Sequence, residues 1–213
     1  MKELVIETIR IIPSLLWLGF LLFFIIRYGD QMFIIITKIS KVKLPWFEVE
    51  FIREELKKAS EKTKPRNLPT RGEQISLLKR TEFVKANNVV LNALWIDDFP
   101  SNNISESRIL EEIGLKITFV PSSEEALILI QTKRYDLILS DIDRNGDKLQ
   151  GISFLKTLVE VHRFDIPTIF YTSENKQIEG VPIHAFAIAS RPIELIHYCL
   201  DIMERNTKQL IIN

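Results

Sequence analysis

Apolar and polar positions along the chain fall into three regimes. The first is a run from Ile11 to Ile26, sixteen residues without a charge. As a helix it would rise ~24 Å, a little short of a ~30 Å hydrocarbon core. Arg10 and Arg27 flank it and are long enough to reach the headgroups. The second regime, residues 31–88, is mixed. Phe47, Val49 and Phe51 alternate with acidic residues, which predicts a short strand. Glu54 stands four residues before Lys58, as on a charged helix. Lys64 to Gly72, with Pro65 and Pro69, reads as a linker, and Glu73 to Ala86 as a further helix.

The third regime is regular. Short apolar runs at 89–96, 115–120, 137–140, 166–171 and 185–189 predict five strands. Between and after them, 104–113, a segment starting near Ser122 and continuing through 126–131, 151–161 and 193–203 predict helices. Strict alternation of strand and helix implies an α/β fold, a doubly wound five-stranded parallel sheet with helices on both faces. The organisation expected is an anchor at 1–30, a juxtamembrane stalk and helical linker at 31–88, the α/β domain at 89–205 and a tail at 206–213.

Charge sharpens this division. The 213 residues carry 28 basic and 28 acidic side chains. Residues 1–88 hold 16 basic and 10 acidic, and residues 89–213 hold 12 basic and 18 acidic. The zero overall balance argues against a polybasic nucleic-acid binder, and the basic N-terminal part, tethered beside the apolar run, is not expected to bind DNA. Arg27, Lys38, Lys41 and Lys43 follow the apolar run, and the positive-inside rule then places the C-terminal side in the cytoplasm and the N-terminus outside. Glu3 and Glu7 spoil the basic start of a signal peptide, and Tyr28-Gly29-Asp30-Gln31 offers no small-residue cleavage site. The expected localisation is the inner membrane, with membrane lipid as one partner. Met32 to Ile36 is too short to span; it either extends the first helix or lies along the surface with Lys38, Lys41 and Lys43. Cys199 stands alone on an apolar helix face, as a buried structural thiol does. The three histidines show no metal-ligand spacing.

Candidate chemistry gathers where strands end. Asp97 and Asp98 follow the first strand, Asp141 the third, Thr172 the fourth and Arg191 the fifth. In open parallel sheets the functional crevice lies at the carboxyl ends of the strands. Three carboxylates converging there repel one another unless a cation holds them, and hard oxygen donors suit Mg²⁺. A carboxylate beside Mg²⁺ can act as a nucleophile toward phosphorus.

In order and spacing, Leu94-Trp95-Ile96-Asp97-Asp98, the Asp-Leu-Ile-Leu-Ser-Asp run ending at Asp141, Thr172 and Arg191-Pro192 resemble the two-component response-regulator receiver domain. Asp98 and Asp141 are 43 residues apart, and Thr172 follows 31 residues later. The resemblance spans residues 93 to about 205. It implies that Asp141 is the phosphoacceptor and that Mg²⁺ is held by Asp98, by Asp97 through water, by Asp141 and by the backbone carbonyl of Asp143. Thr172 would bond the phosphoryl group, and a histidine kinase or another signalling protein would be the partner. A second copy of the chain is a further candidate.

The departures are specific. Arg191 stands where the family has Lys, and Ile188 where an aromatic is usual. The loop from Asp141 to Gly151 is longer and polar, and Asn175 to Val181 leaves room only for a short fourth helix or none. These features support an alternative, a degenerate receiver that serves as a non-phosphorylated interaction or assembly module of a membrane complex, for instance one in stress or defence. Neither reading makes the chain an enzyme. A hydrolase of the haloacid-dehalogenase kind would carry its nucleophile on the first strand, whereas Asp141 follows the third.

Overall fold

The computed structural model of the chain describes residues 17, 20, 23, 27, 28, 45–62, 68–144, 146, 147, 149–172 and 180–212. The chain divides into two units, Met1–Glu48 and Val49–Asn213. In the first, Trp17, Phe20, Phe23, Arg27 and Tyr28 are helical, and Trp17, Phe20 and Phe23 are exposed. The remainder of the expected span, the Met32–Ile36 run and the lysines at 38, 41 and 43 lie outside the described residues. Among the described residues no helix is long and apolar enough to cross a membrane.

Helix α1 runs over Pro45–Lys62. The strand predicted from Phe47, Val49 and Phe51 is therefore not formed. Three alternating positions are outweighed by the longer helical period of Ile52, Leu56 and Ala59, all buried in the core. Lys58 pairs with Glu54 across one turn. Helix α2, Arg71–Ala86, begins two residues before the expected start, so Gly72 lies within its first turn rather than in the linker. Thr70 is its cap: the Thr70 hydroxyl accepts from the Glu73 N–H, and the Glu73 carboxylate accepts from the Thr70 N–H.

The sheet comprises β1 (Leu91–Ile96), β2 (Leu115–Val120), β3 (Leu137–Ser140), β4 (Thr168–Tyr171) and β5 (Ala187–Ala189). Their order is β2-β1-β3-β4-β5, and every pairing is parallel. The expected sheet is thus present. The helices within and after it are α3 (Ile104–Glu112), α4 (Ser123–Thr132), α5 (Gln150–Glu160) and α6 (Pro192–Ile212). Helix α6 continues through most of the segment read as a tail, because Thr207 is still buried and its hydroxyl bonds the Met203 carbonyl. Of the Asn175–Val181 stretch, where a fourth helix is expected to be short or absent, residues 175–179 lie outside the described residues, and Gly180 and Val181 are not helical.

Alternation along β1 sorts the core into two layers. Leu91, Ala93 and Trp95 face a cluster with Ile109 and Leu110 of α3, Ile196 and Leu200 of α6, Leu56 of α1 and Leu77 of α2. Leu94 and Ile96 face the other side, toward Ala126 and Ile130 of α4 and Leu158 of α5. Helices α1 and α2 therefore pack in the same layer as α3 and α6. From Val49 onward, the described residues of α1 and α2 belong to the same compact unit as the sheet. Arg80 of α2 ties this layer together through Asp201 at 2.6 Å and Glu204 at 2.7 Å on α6. Cys199 is buried in the same layer, and burial pushes its thiol well above the ordinary range.

Candidate functional site

The parallel register brings the ends of β1, β3, β4 and β5 to one edge. Backbone bonds continue past the strands, from the Asp97 N–H to the Val120 carbonyl and from the Asp141 N–H to the Ile96 carbonyl. Likewise the Thr172 N–H donates to the Ala189 carbonyl. These bonds fix Asp97, Asp141 and Thr172 beside one another. A cavity of about 450 Å³ opens there, with Asp97, Asp98, Asp141 and Thr172 among its walls.

Asp97 is buried, and its carboxylate accepts from the Phe99 N–H at 2.6 Å and from the Asn103 side-chain amide. Burial, reinforced by the charges of Asp141 and Asp98, raises its pKa above the ordinary value, with the Phe99 N–H and the Arg144 guanidinium opposing. The Asp141 carboxylate accepts from the Asp143 N–H at 3.3 Å. Gly151 sits against this turn: a Cβ there would come within 2.5 Å of the Asp141 carbonyl oxygen. The close approach demands glycine.

Tyr171 and Thr172 also line the cavity. The Thr172 side chain is buried, and its hydroxyl has no hydrogen-bond partner among the described residues. The Tyr171 hydroxyl donates to Glu106 on α3 at 3.0 Å. Glu106 is buried too, and burial, before all other influences, pushes its pKa up. It also lines the cavity, and no sequence signal marked it beyond its place on the helix after Asp98.

Cations surround the acids unevenly. Arg144 is 1% exposed, a buried guanidinium that donates to the Ser123 hydroxyl at 3.0 Å while its Nε and Nη1 have no partner among the described residues. Its centre stands 5.9 Å from the Phe154 ring. Burial depresses its pKa, and Asp141, Asp98 and Asp97 oppose that shift. Arg191 is held elsewhere. Its Nη2 meets the Glu73 carboxylate of α2 at 3.0 Å, its Nη1 lies 3.6 Å from Glu194, and it is not part of the cavity wall. The Thr70 backbone N–H, opposed by burial and assisted by Arg191, keeps Glu73 below the usual carboxylate range. Lys62, at the last turn of α1, does line the cavity, and its ammonium donates to the Asn102 carbonyl at 2.9 Å. Lys62 stands 35 residues before Asp97, too far for spacing to reveal it. Ile188 packs with Ile142, Leu155 and Phe170 on the opposite layer.

The donor chemistry fits a hard divalent cation: carboxylates from two strand ends, Asp97, Asp98 and Asp141, share one cavity. Among the described residues, however, no three Asp, Glu, His or Cys side chains are gathered as a metal cage.

An open parallel sheet in this order, with acids after β1 and β3 and a threonine after β4, has the architecture of a receiver-like module. Residues 93–194 match the family of the response regulator receiver domain. Over 86 residues the chain is 34% identical to a gliding motility regulatory protein of Myxococcus xanthus, which covers 39% of this chain and 11% of that relative's length. Among solved structures it is similar to the receiver domain of the Francisella response regulator 1452, at 27% identity and a TM-score of 0.46, covering 55% of this chain and 98% of that one. It is also similar to response regulator TrrA of Thermotoga maritima, solved in complex with Mg²⁺-BeF, at 21% identity and a TM-score of 0.46, covering 53% and 99%.

Proposed function

We propose that the chain is a membrane-anchored phosphoacceptor that receives a phosphoryl group on Asp141 from a partner histidine kinase and passes the signal on by protein contacts. The observation that carries this is the Thr172 hydroxyl, buried and, among the described residues, unpartnered in the cavity that Asp141 lines. A buried hydroxyl without a partner carries a desolvation cost, which a phosphoryl oxygen on Asp141 would relieve. In the transfer, an Asp141 carboxylate oxygen attacks phosphorus, the bond to the donor imidazole nitrogen breaks, and a mixed anhydride remains. Asp97, Asp98, Asp141 and the Asp143 carbonyl are the groups that would hold Mg²⁺. Bound there, the ion would neutralise the charge that gathers on the phosphoryl oxygens.

The decisive experiment incubates the full chain in detergent with Mg²⁺ and acetyl phosphate. A base-labile adduct is expected on the wild type and none on Asp141→Asn. An unlabelled wild type at saturating donor and Mg²⁺ would overturn the proposal.

The anchor reading rests on the uncharged stretch from Ile11 to Ile26 and on Trp17, Phe20 and Phe23, helical apolar residues exposed on their own unit. Membranes carrying the chain are expected to retain it through an alkaline wash, with the receiver domain on the cytoplasmic side. Release by the wash removes the anchor.

A second reading is favoured by Arg144 and Arg191. One is a buried cation near the acids, and the other is tied to Glu73 and Glu194. In this reading the domain is a pseudo-receiver whose acids are already compensated, and it acts only as an interaction or assembly module.

A further inference from the structure

A phosphoryl group on Asp141 would add negative charge to a cavity that already holds Asp97, Asp98 and the buried Glu106. The charge needs a cation that can reach it. Arg191, at the sequence position where one is expected, has its guanidinium bonded to Glu73 and facing Glu194. Arg144 does not form part of the cavity wall. Lys62 is the one cation among the described residues that line it. Its ammonium donates to a neutral carbonyl, that of Asn102, and among the described residues it forms no ion pair. It acts on the cavity's charge already, since it opposes the upward shift that burial imposes on Glu106.

The placement of Lys62 is built into the fold. Ile52, Leu56, Ala59 and Ser60 bury one side of α1, and Glu55 of the same face lies 3.5 Å from Arg108 of α3. Ala59, one turn before Lys62, lines the same cavity. With this register, the last turn of α1 reaches the cavity rim. A lysine stem has enough freedom for its ammonium to leave the Asn102 carbonyl for a stronger acceptor.

We propose that Lys62 is the phosphoryl-binding cation of this site, supplied by α1 from outside the matched domain in place of Arg191. The inference rests on Asp141 being the phosphoacceptor and deepens that reading. It also makes the charge on Asp141 felt directly by α1, the helix that leads back toward the N-terminal unit.

The test uses the full chain in detergent with Mg²⁺ and acetyl phosphate, following the rate of adduct formation and the lifetime of the adduct. Lys62→Gln is expected to slow formation about tenfold or more, as loss of a charge-assisted bond to a developing phosphoryl charge does. Lys62→Arg should recover most of the rate. Lys57→Gln, on the same helix but away from the cavity, should match the wild type. Lys62 is exposed, so the thermal midpoint of Lys62→Gln should stay with the wild type, separating lost charge from lost fold. Labelling of Lys62→Gln at the wild-type rate overturns the proposal, as does a loss confined to Arg191→Gln. An unlabelled wild type, or a labelled Asp141→Asn, instead overturns the phosphoacceptor reading on which it stands.

Discussion

Glu106 shows how one side chain reports on the whole site. It is buried with one oxygen bonded to Tyr171 and the other without a partner. Its pKa in the folded chain is raised, first by burial, so the folded state favours the protonated form. A raised carboxyl contributes stability at acid pH and loses it as pH rises through its folded value. Glu106→Gln keeps the bond from Tyr171 and removes the charge. The variant should therefore melt above the wild type at neutral pH. The difference should shrink as pH falls toward the ordinary carboxyl range, and thermal scans across pH would check this. Asp97 titrates in the same direction for the same leading reason. Arg144 is the complementary case, a guanidinium held in the interior by the Ser123 hydroxyl, an aromatic face and the field of three aspartates.

The turn between β3 and α5 is where local geometry controls chemistry. The Gly151 N–H donates to the Ile142 carbonyl, and its α-carbon faces the Asp141 carbonyl and the Phe170 ring. Gly151→Ala must displace backbone atoms, not merely a flexible side chain. Overpacking of this kind costs about 1–3 kcal/mol. Denaturant unfolding should show that loss, and the labelling of Asp141 should slow in step because its turn moves. Helix α2 illustrates a second element-level coupling. Glu73 both caps the helix at Thr70 and pairs with Arg191 at the end of β5. The cap joins residues three apart, and the structure reveals it where the sequence pattern predicts a linker. The sequence cannot show that Glu73 also captures Arg191, 118 residues later.

At the scale of the molecule, the compact unit begins at Val49, well before the matched domain. Leu56, Leu77 and Val84 are as buried as the strands they cover. A fragment starting at residue 89 would uncover the apolar layer of α3 and α6 that these residues seal. It should melt below a fragment starting at residue 45 and bind a hydrophobic dye, while the longer fragment should not. Equal melting of the two would show that α1 and α2 contribute nothing to the domain's stability.

The sequence by itself determined the strand-helix alternation, the parallel sheet and the residues at its carboxyl edge. Those follow from local periodicity and from the rule that strand ends share one crevice. It also carried the contrast between an uncharged N-terminal stretch with basic residues after it and an acidic domain. Tertiary structure decided the rest. It made α1 a helix where three alternating residues predicted a strand, because burial of Ile52, Leu56 and Ala59 outweighs that local pattern. It turned Arg191 toward Glu73 and placed Lys62 and Glu106 in the cavity wall. Those partnerships join residues dozens of positions apart. Only packing brings such charges within reach, and no local pattern records them.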